Sequence, residues 1–502
     1  MTTGPTVSTE TMLRIHRPVV DGQEVRFSWE TTPVSTLYRR PWCVLRFPPA
    51  VDLAKVPPEF WDAAAVLLLH THAAVLAPCR LVLPIDPGEA LVGVLARQIQ
   101  AVQDTCEWYV GDGWSTSTVD IDVSTGATAP TCAVRGERPF DRPNDAAAAF
   151  SGGRDGIVQA TMLREFAERV VLVAVSSPMP PTADHVNRWR RRSLNEVPAR
   201  LGMQLVEVRS DARSVWRLGW AVEHRRALVG IHEITDQVLY VIATAAVAAA
   251  LGVPEVFLAT ETEAHTAMVL EDRTVQFQQL TSAGPTLAAL DAWLSELCGM
   301  SVRCGTGPFR GRQASALLAR RAANLTDYVC TCWQVDTHQR ACNACSLCLS
   351  RTLFLLAEGI SPTRIGTDLD RLGAWAPSWR PSTPLHELPR NPRAAISQTN
   401  SIATVEAART LAGDRTRWAA DFRASSEAHR RWMGALSDRL GGDQLRPQTG
   451  WCADLLDAAG PRLRPVLASI GAREFGPGDA DGDAVGPSLA LARTIVGRTP
   501  PA

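Results

Sequence analysis

A glycine-rich segment near residue 150 has the residue types that bind phosphate. It reads Ser151-Gly152-Gly153-Arg154-Asp155-Gly156, after an apolar run at 146–150 and before apolar residues at helical spacing. Glycines let the backbone approach an anion, and a helix that begins there points N–H groups and the positive end of its dipole at one spot. The Ser151 hydroxyl adds a donor, and Asp155 can hold Mg²⁺ against phosphate oxygens. The segment therefore predicts a phosphate site, and a plain surface turn is the alternative.

A cluster of cysteines in the second half of the chain has the spacing of metal ligands. Five of the twelve cysteines lie between 330 and 348, and in a reducing compartment such crowding indicates metal rather than disulfides. Three of them recur at intervals of three residues: Cys342, Cys345 and Cys348. Cys332 or Cys330 would complete a closed, structural zinc site, His338 could replace one sulfur, and an iron–sulfur cluster would use similar ligands.

The chain around both clusters alternates short strands with longer helices. The pattern predicts strands at 146–150, 170–176, 205–208, 255–259 and 301–304, and helices at 157–169, 183–201, 234–251 and 286–297. This order predicts an α/β fold, a parallel sheet with helices on both faces. Ligands of such sheets bind beyond the carboxyl ends of the strands. Four segments are expected to lie at that edge of the sheet: Ser151–Gly156, Ser176-Ser177, Thr260-Glu261 and Gly305–Gly311.

A length of 502 residues predicts more than one domain. Residues 1–142 are expected to form a mixed α+β domain, with strands at 24–29 and 42–47 and a helix at 59–76. Within that helix, His70 and His72 are two residues apart and are interpreted as core or solvated histidines rather than metal ligands. Residues 143–358 are expected to form the α/β domain that holds the glycine-rich segment and the zinc site. Residues 359–502 are expected to be a helical extension, with helices at 402–411, 415–440 and 451–458 and a flexible acidic tail at 476–486.

The charge and the hydropathy of the chain indicate which kinds of partner and which location to expect. The chain has 51 Lys and Arg against 52 Asp and Glu, a net charge of −1. This balance does not favour a basic surface for nucleic acid, so we expect no nucleic-acid partner. The apolar runs are too short or too interrupted to cross a membrane, and the first residues lack the plan of a secretory signal, so a cytoplasmic location is expected.

The glycine-rich segment resembles the pyrophosphate loop of the ATP pyrophosphatases, whose usual motif is Ser-Gly-Gly-x-Asp-Ser/Thr. The resemblance implies a Rossmann-type, adenine nucleotide alpha-hydrolase-like fold that binds ATP with Mg²⁺. It assigns pyrophosphate binding to four residues: Ser151, Gly152, Gly153 and Asp155. Gly156 stands where the family has a hydroxyl, so one phosphate contact is expected to be missing, and Arg154 is the candidate to replace it.

The loop together with the cysteines resembles the 7-cyano-7-deazaguanine synthase family over residues 144–358. The family has Ser/Thr-Cys-aromatic before its Cys-x-x-Cys-x-x-Cys, which matches Thr331-Cys332-Trp333 and makes Cys332 the fourth Zn²⁺ ligand, with Cys330 as a spare. Gly311-Arg312-Gln313 lies where the family has Ser-Lys-Ala/Glu, so Arg312 takes the place of the lysine. Arg225 or Arg226 is the nearest substitute for the arginine of the family's Pro-Gly-Arg-Asn, and an ordinary solvated arginine is the alternative.

The resemblance implies an ATP-dependent, AMP-forming ligase that adenylates the carboxylate of a 7-carboxy-7-deazaguanine-like substrate. A nitrogen nucleophile then displaces AMP: ammonia would give an amide and then a nitrile, whereas a protein amine would give a conjugate. The implied catalytic residues are Ser151, Asp155 and Arg312. Arg154, Gly156, Ser176 and Arg225 would line the nucleotide site. Glu261 would accept two N–H donors of a guanine-like ring, and a glutamate that caps a helix or faces water is the alternative.

The chain is far longer than a synthase of this family needs, and in this respect it resembles the enlarged synthase-like proteins of bacterial antiviral operons. Residues 1–142 and 359–502 would then hold an acceptor protein or operon partner, and a homodimer is a further expectation. Two other functions remain open: a tRNA-modifying pyrophosphatase, and a non-catalytic scaffold whose loop binds nucleotide.

Overall fold

The protein is described by a computed structural model as an α/β fold, in which helices flank a large, mostly parallel sheet. The described residues are 11–110, 118–123, 140–177, 187–217, 228–262, 268–269, 274–275, 284–330, 340–375, 407, 451, 453, 456 and 459–476.

The strands fall into two groups along the chain. The first group is β1 (Thr11–Ile15), β2 (Val19–Asp21), β3 (Glu24–Thr32), β4 (Trp42–Arg46), β5 (Cys79–Leu83) and β6 (Val119–Val123). The second group is β7 (Ala146–Ala149), β8 (Val170–Ser176), β9 (Gln204–Ser210), β10 (Glu255–Leu258), β11 (Met268–Val269), β12 (Thr274–Val275) and β13 (Ser301–Cys304). All except β11 and β12 join one eleven-stranded sheet with the order β13-β10-β7-β8-β9-β4-β3-β1-β5-β6, and β2 pairs with β3.

The helices before β10 are α1 (Pro58–Leu69), α2 (His72–Leu76), α3 (Gly88–Val110), α4 (Arg154–Leu163), α5 (Asn187–Leu201) and α6 (Leu228–Leu251). Those after it are α7 (Gly284–Cys298), α8 (Gly311–Arg321), α9 (Ser346–Ala357), α10 (Leu369–Trp375) and α11 (Gly460–Phe475). When the described helices are measured against the length and hydropathy that a bilayer span requires, none qualifies.

The parallel strands β7, β8 and β10 are buried on both faces. Ala147 of β7 packs into the core that contains α6, whereas Ala146 and Ala148 pack into the core that contains α4 and α5. This burial explains why β8 is an almost continuous apolar run rather than an alternating one. The five strands β13, β10, β7, β8 and β9 are parallel to one another, so all their carboxyl ends lie at one edge.

The sheet continues across the predicted domain boundary at residue 142. β4 pairs with β9 in antiparallel register, with Leu45 opposite Ser210, and the main-chain N–H of Val44 donates to the Asp211 carboxylate at 2.7 Å. α1 and α3 also pack against α6 in one hydrophobic core. Residues on both sides of the boundary therefore share a sheet and a core.

Some predicted helices differ in their bounds. The predicted helix at 59–76 is interrupted at His70, so that the His72 ring stacks on Tyr38 with 5.5 Å between ring centroids. α4 ends at Leu163 rather than at 169, because the chain turns back to β8 and Glu168 N–H donates to Asn144 O at 3.1 Å.

The predicted carboxyl-terminal extension is described only in part. α11 is a helix that the sequence pattern did not predict, because glycine and proline open it and Pro465 lies inside it. Its apolar residues at helical spacing are nevertheless buried: Leu463, Leu467 and Ile470. The predicted helices at 402–411 and 415–440 lie outside the described residues apart from 407, and so does the predicted acidic tail apart from Gly476.

His70 should make the fold sensitive to mild acid. Its ring is fully buried, its Nδ1 lies 2.9 Å from Leu67 O, and burial lowers the pKa of this imidazole to about 4. An unfolded histidine titrates near 6.5, so between pH 6.5 and 4 the unfolded state binds more protons and stability falls as pH falls. We expect a loss of about 2 kcal/mol at pH 5 relative to pH 7.5 from this one group.

Urea unfolding of the wild-type protein and His70→Gln at both pH values measures this effect. The His70→Gln protein should lose about 2 kcal/mol less on acidification than the wild-type protein. Equal pH dependence in wild type and His70→Gln would contradict the prediction.

Candidate functional site

The glycine-rich segment forms the turn between β7 and α4, at the carboxyl edge of the parallel strands. β7 ends at Ala149, Phe150 is fully buried, and α4 begins at Arg154. The chain passes from β7 to β8 and β9 on one side and later returns to β10 and β13 on the other. The loop therefore lies where the strand order reverses, which is the usual ligand position of an open α/β sheet.

The loop backbone is held by two other segments. Gly152 has φ +78°, and its carbonyl accepts hydrogen bonds from Ser193 Oγ at 3.0 Å and from Cys330 N–H at 2.9 Å. Arg190 Nε donates to Ser151 O at 3.3 Å, and the Ser151 residue is exposed. The first N–H groups of α4 have no acceptor within the helix. The turn thus combines a fixed backbone with N–H donors and an accessible hydroxyl, which suits an anion.

Gly152→Ala should destabilise the protein more than an ordinary glycine replacement. A Cβ at this position would lie 2.8 Å from Ser193 Oγ, in addition to the strained positive φ. Gly202 has φ +66°, and a Cβ there would have no neighbour within 4 Å, so Gly202→Ala carries the conformational cost alone, about 1 kcal/mol.

We expect Gly152→Ala to cost roughly 2–3 kcal/mol in total, because overpacking adds to the backbone strain. Urea unfolding of the two variants checks the difference. Equal losses would mean that α5 yields to the added methyl group and does not hold the loop.

Arg154 is turned into the protein rather than towards solvent. Its side chain is 4% exposed. Nε donates to Asp155 Oδ1 at 2.8 Å, Nη1 donates to Gly311 O at 2.7 Å and Ser315 Oγ at 3.1 Å, and Nη2 pairs with the Glu261 carboxylate. The guanidinium therefore joins the loop to the segments that follow β10 and β13. The predicted phosphate ligand Arg154 has its donors engaged by protein atoms.

Asp155 and Glu261 are the carboxylates that could hold a cation here. Their side chains are 21% and 20% exposed. Burial alone would raise the pKa of Asp155, but the positive charges of Arg154 and Arg351 and the hydrogen bonds that Asp155 receives lower this pKa below its ordinary value. An ionised, partly accessible carboxylate beside a phosphate-type loop fits Mg²⁺.

Gly156 and Gly311 leave space for neighbouring side chains. A Cβ on Gly156 would lie 3.2 Å from the ring of the buried Phe150, and a Cβ on Gly311 would lie 3.3 Å from the Glu261 carboxylate. A serine at this position, as in Gly156→Ser, therefore requires Phe150 to move. The close packing of Phe150 gives a physical reason for glycine at this position.

The other residues predicted to bind the nucleotide differ in their exposure and in their hydrogen-bond partners. The Ser176 hydroxyl, at the end of β8, donates to Glu207 Oε1 at 2.7 Å, and Glu207 also pairs with Arg191. Arg312 lies in the first turn of α8 and is partly exposed. Arg225 and Arg226 lie outside the described residues.

Three cysteine thiols converge on one point and could hold a metal ion. The Sγ atoms of Cys342, Cys345 and Cys348 all lie within 4.8 Å of one another, and those of Cys342 and Cys348 are 3.7 Å apart. A Zn–S distance of about 2.3 Å places two sulfurs of a tetrahedral site about 3.8 Å apart. Asn343 adopts φ 55° in the turn between the first two thiols. The Sγ of Cys345 caps α9 by accepting from Cys348 N–H at 3.5 Å.

Among the described residues, no fourth ligand lies with the thiols of Cys342, Cys345 and Cys348, which we call the three-thiol group. Cys332 and His338 lie outside the described residues, and Cys330 is described but is not part of the three-thiol group. Cys330 instead contacts the glycine loop through its main chain. Cys330 thus lies directly beside the predicted phosphate site.

Sequence patterns did not predict several residues that build the site. Ser193 and Arg190 of α5 hold the loop, Ser315 of α8 receives Arg154, and Arg351 of α9 lowers the pKa of Asp155. Their spacing carried no signal, since each acts on a residue more than thirty positions away. A scan of protein-family models, a search of curated proteins and a search of solved structures each found no match for this chain.

Proposed function

We propose that this chain is an ATP-dependent, AMP-forming ligase that activates the carboxylate of a 7-carboxy-7-deazaguanine-like substrate for attack by a nitrogen nucleophile. The observation that carries the proposal is the Ser151–Asp155 loop, which joins β7 to α4 where the strand order reverses. The neighbouring strand order β13-β10-β7-β8-β9 supports a Rossmann-type, adenine nucleotide alpha-hydrolase-like assignment for this part of the chain.

ATP would lie with its phosphates on the loop. The N–H groups at the start of α4 and the Ser151 hydroxyl would hold the β- and γ-phosphate oxygens, and Arg312 lies in the first turn of the facing helix α8. Mg²⁺, when bound at Asp155, would neutralise phosphate charge. The substrate carboxylate oxygen attacks the α-phosphorus, and the bond to the pyrophosphate oxygen breaks.

The second half-reaction joins the activated carbonyl to nitrogen. The nucleophile attacks the carbonyl carbon of the acyl adenylate, AMP leaves with the electrons of the C–O bond, and the nitrogen loses a proton. Ammonia would yield the amide, which a second activation would convert to the nitrile, and a protein amine would yield an amide-linked conjugate.

Glu261 is the residue proposed to recognise the base. It follows the end of β10, and its ion pair with Arg154 orients the carboxylate. A carboxylate can accept the adjacent N–H donors of a guanine-like ring.

The three-thiol group has a structural role in this proposal. A Zn²⁺ bound by Cys342, Cys345 and Cys348, with Cys332 as the proposed fourth ligand, would fix the start of α9, the helix that carries Arg351. We also propose three kinds of partner for this chain: an acceptor protein, an operon protein and a second copy of the chain itself.

Purified protein incubated with α-labelled ATP, Mg²⁺ and 7-carboxy-7-deazaguanine tests the proposal, with and without ammonium or amine acceptors. We expect labelled AMP together with the mass change of the base, and we expect Asp155→Asn to lose most of this activity while it keeps its fold. Absence of AMP with every deazapurine and every amine, from a folded and metal-loaded protein, would refute the ligase.

A further inference from the structure

A separate cleft of about 500 Å³ opens beside the cysteine segment. Its walls come from α5, from the 3₁₀ turns at Ala323–Tyr328 and Pro362–Ile365, and from the residues just before and after Cys342. Its polar and aromatic lining includes Trp189, Arg192, Asp327, Arg340, Arg364 and Asp368. A volume of this size is typical of a small-molecule site and exceeds what a single phosphate ion needs.

Arginines stack on the aromatic rings of this region. The guanidinium of Arg192 lies 5.7 Å from the Trp189 ring centroid and 5.0 Å from that of Tyr328, and the guanidinium of Arg340 lies 5.7 Å from the Trp189 centroid. Stacking uses the face of a guanidinium and leaves the N–H donors at its edge available for a planar or tetrahedral anion. In the part of the chain that the structure describes, no acceptor takes a hydrogen bond from Arg192.

The positive charge of the cleft is only partly compensated. Arg364 donates to both oxygens of Asp327, at 2.9 and 2.8 Å, which neutralises one pair. Arg340 instead donates to main-chain carbonyls, among them Val329 O at 2.8 Å and Thr326 O at 3.1 Å. The three lining arginines face two lining carboxylates, Asp327 and Asp368, so the lining keeps a net charge of +1.

We infer that this cleft binds a nucleotide unit at a site distinct from the Ser151–Asp155 loop. Arg192 would hold its phosphate, because a guanidinium presents paired donors to phosphate oxygens, and Arg340, whose nitrogens donate to main-chain carbonyls, would add positive charge beside it. The base would contact the Trp189 indole in the cleft wall, and Asp368 would accept from ribose hydroxyl or base amino donors. The unit can come from a free mononucleotide or from single-stranded RNA, which share this chemistry.

This inference does not depend on the ligase activity. The net charge of −1 argues against a basic surface only as an average, since α5 alone carries five arginines: Arg188, Arg190, Arg191, Arg192 and Arg200. Arg190 faces the glycine loop, where it contacts Ser151 O, whereas Arg192 and Trp189 line the cleft. The same helix thus separates two anion sites.

Binding of a short fluorescein-labelled single-stranded RNA, followed by fluorescence anisotropy, and of AMP, followed by calorimetry, tests the inference. Arg192→Ala and Trp189→Ala should each raise the dissociation constant of the probe about tenfold. Arg192→Ala should also reduce the salt dependence of RNA binding by about one phosphate contact. Arg191→Ala removes the same charge from the neighbouring position, where it pairs with Glu207, and should change binding by no more than about twofold.

The two probes separate the sources of the nucleotide. RNA binding that is sensitive to Arg192→Ala, without AMP binding at the cleft, assigns the site to a strand, and the reverse result assigns it to a free nucleotide. AMP binding that Gly152→Ala abolishes and Arg192→Ala leaves intact belongs to the glycine loop and counts against the cleft. Equal losses for Arg191→Ala and Arg192→Ala, or no binding of either probe, would overturn the inference, provided that circular dichroism shows each variant folded.

Discussion

Cys345→Ser is expected to release bound zinc and to unfold the segment around α9. Its Sγ lies within 4.8 Å of the thiols of Cys342 and Cys348 and also caps the first turn of the helix. A structural zinc site contributes on the order of 10 kcal/mol of apparent binding free energy, which is coupled to folding of the ligand segment. The loss of one thiolate should therefore produce the largest drop in stability of any change considered for this protein.

Metal content by mass spectrometry and thermal unfolding measure this result together. The wild-type protein should carry one zinc ion per chain and should unfold at a lower temperature after chelation. Cys298→Ser is the matched control, because Cys298 lies at the end of α7, outside the three-thiol group, and should leave the zinc in place.

Two further variants identify the fourth ligand. Cys332→Ser should lose the ion and Cys330→Ser should keep it, since Cys330 is not part of the three-thiol group. Full zinc occupancy in Cys345→Ser, or a wild-type chain that binds no metal, would contradict a zinc centre.

Arg154→Met should destabilise the protein by roughly 3–5 kcal/mol. The guanidinium is 4% exposed and pairs with two carboxylates, and its removal leaves Asp155 and Glu261 with Arg351 as the remaining positive charge that acts on Asp155. Breaking a buried ion pair on one side is costly because the remaining charge is left uncompensated. Urea unfolding at neutral pH gives the magnitude.

Two comparisons show whether the loss comes from the buried charges. Arg191→Met removes an ion pair with Glu207 in which the arginine is 44% exposed, and should cost less than about 1 kcal/mol. Adding Glu261→Gln to Arg154→Met should recover part of the lost stability, because it removes one of the two opposed carboxylates. If the stability losses of Arg154→Met and Glu261→Gln simply add in the double variant, Arg154 stabilises the protein through packing alone.

Local patterns predicted the parallel part of the sheet well. The apolar run at 170–176 coincides with β8, because a strand buried on both faces is apolar almost throughout. The predicted strand at 301–304 coincides with β13, in which buried and partly exposed residues alternate. The strand, glycine turn and helix around Ser151 were equally local signals. The pairing of Leu45 with Ser210 had no such signal, since it joins residues far apart in the chain through main-chain hydrogen bonds.

The same distinction applies to the candidate site. The convergence of three cysteines follows from their spacing, because a tight turn and the first turn of one helix bring the thiols together. The inward position of Arg154 could not be predicted, because it depends on a carboxylate that follows β10 and a carbonyl in α8. An arginine next to a phosphate-type loop is more simply expected to face the ligand.

The antiparallel contact between β4 and β9 has a practical consequence for dissecting this protein. A fragment that began at residue 143 would leave the carboxyl end of β9 as an open strand edge, with main-chain groups that β4 otherwise pairs. It would also expose the apolar side of α6 that α1 and α3 cover. Open strand edges and apolar patches favour association between chains, so the amino-terminal residues protect the α/β core from aggregation in addition to any role in holding a partner.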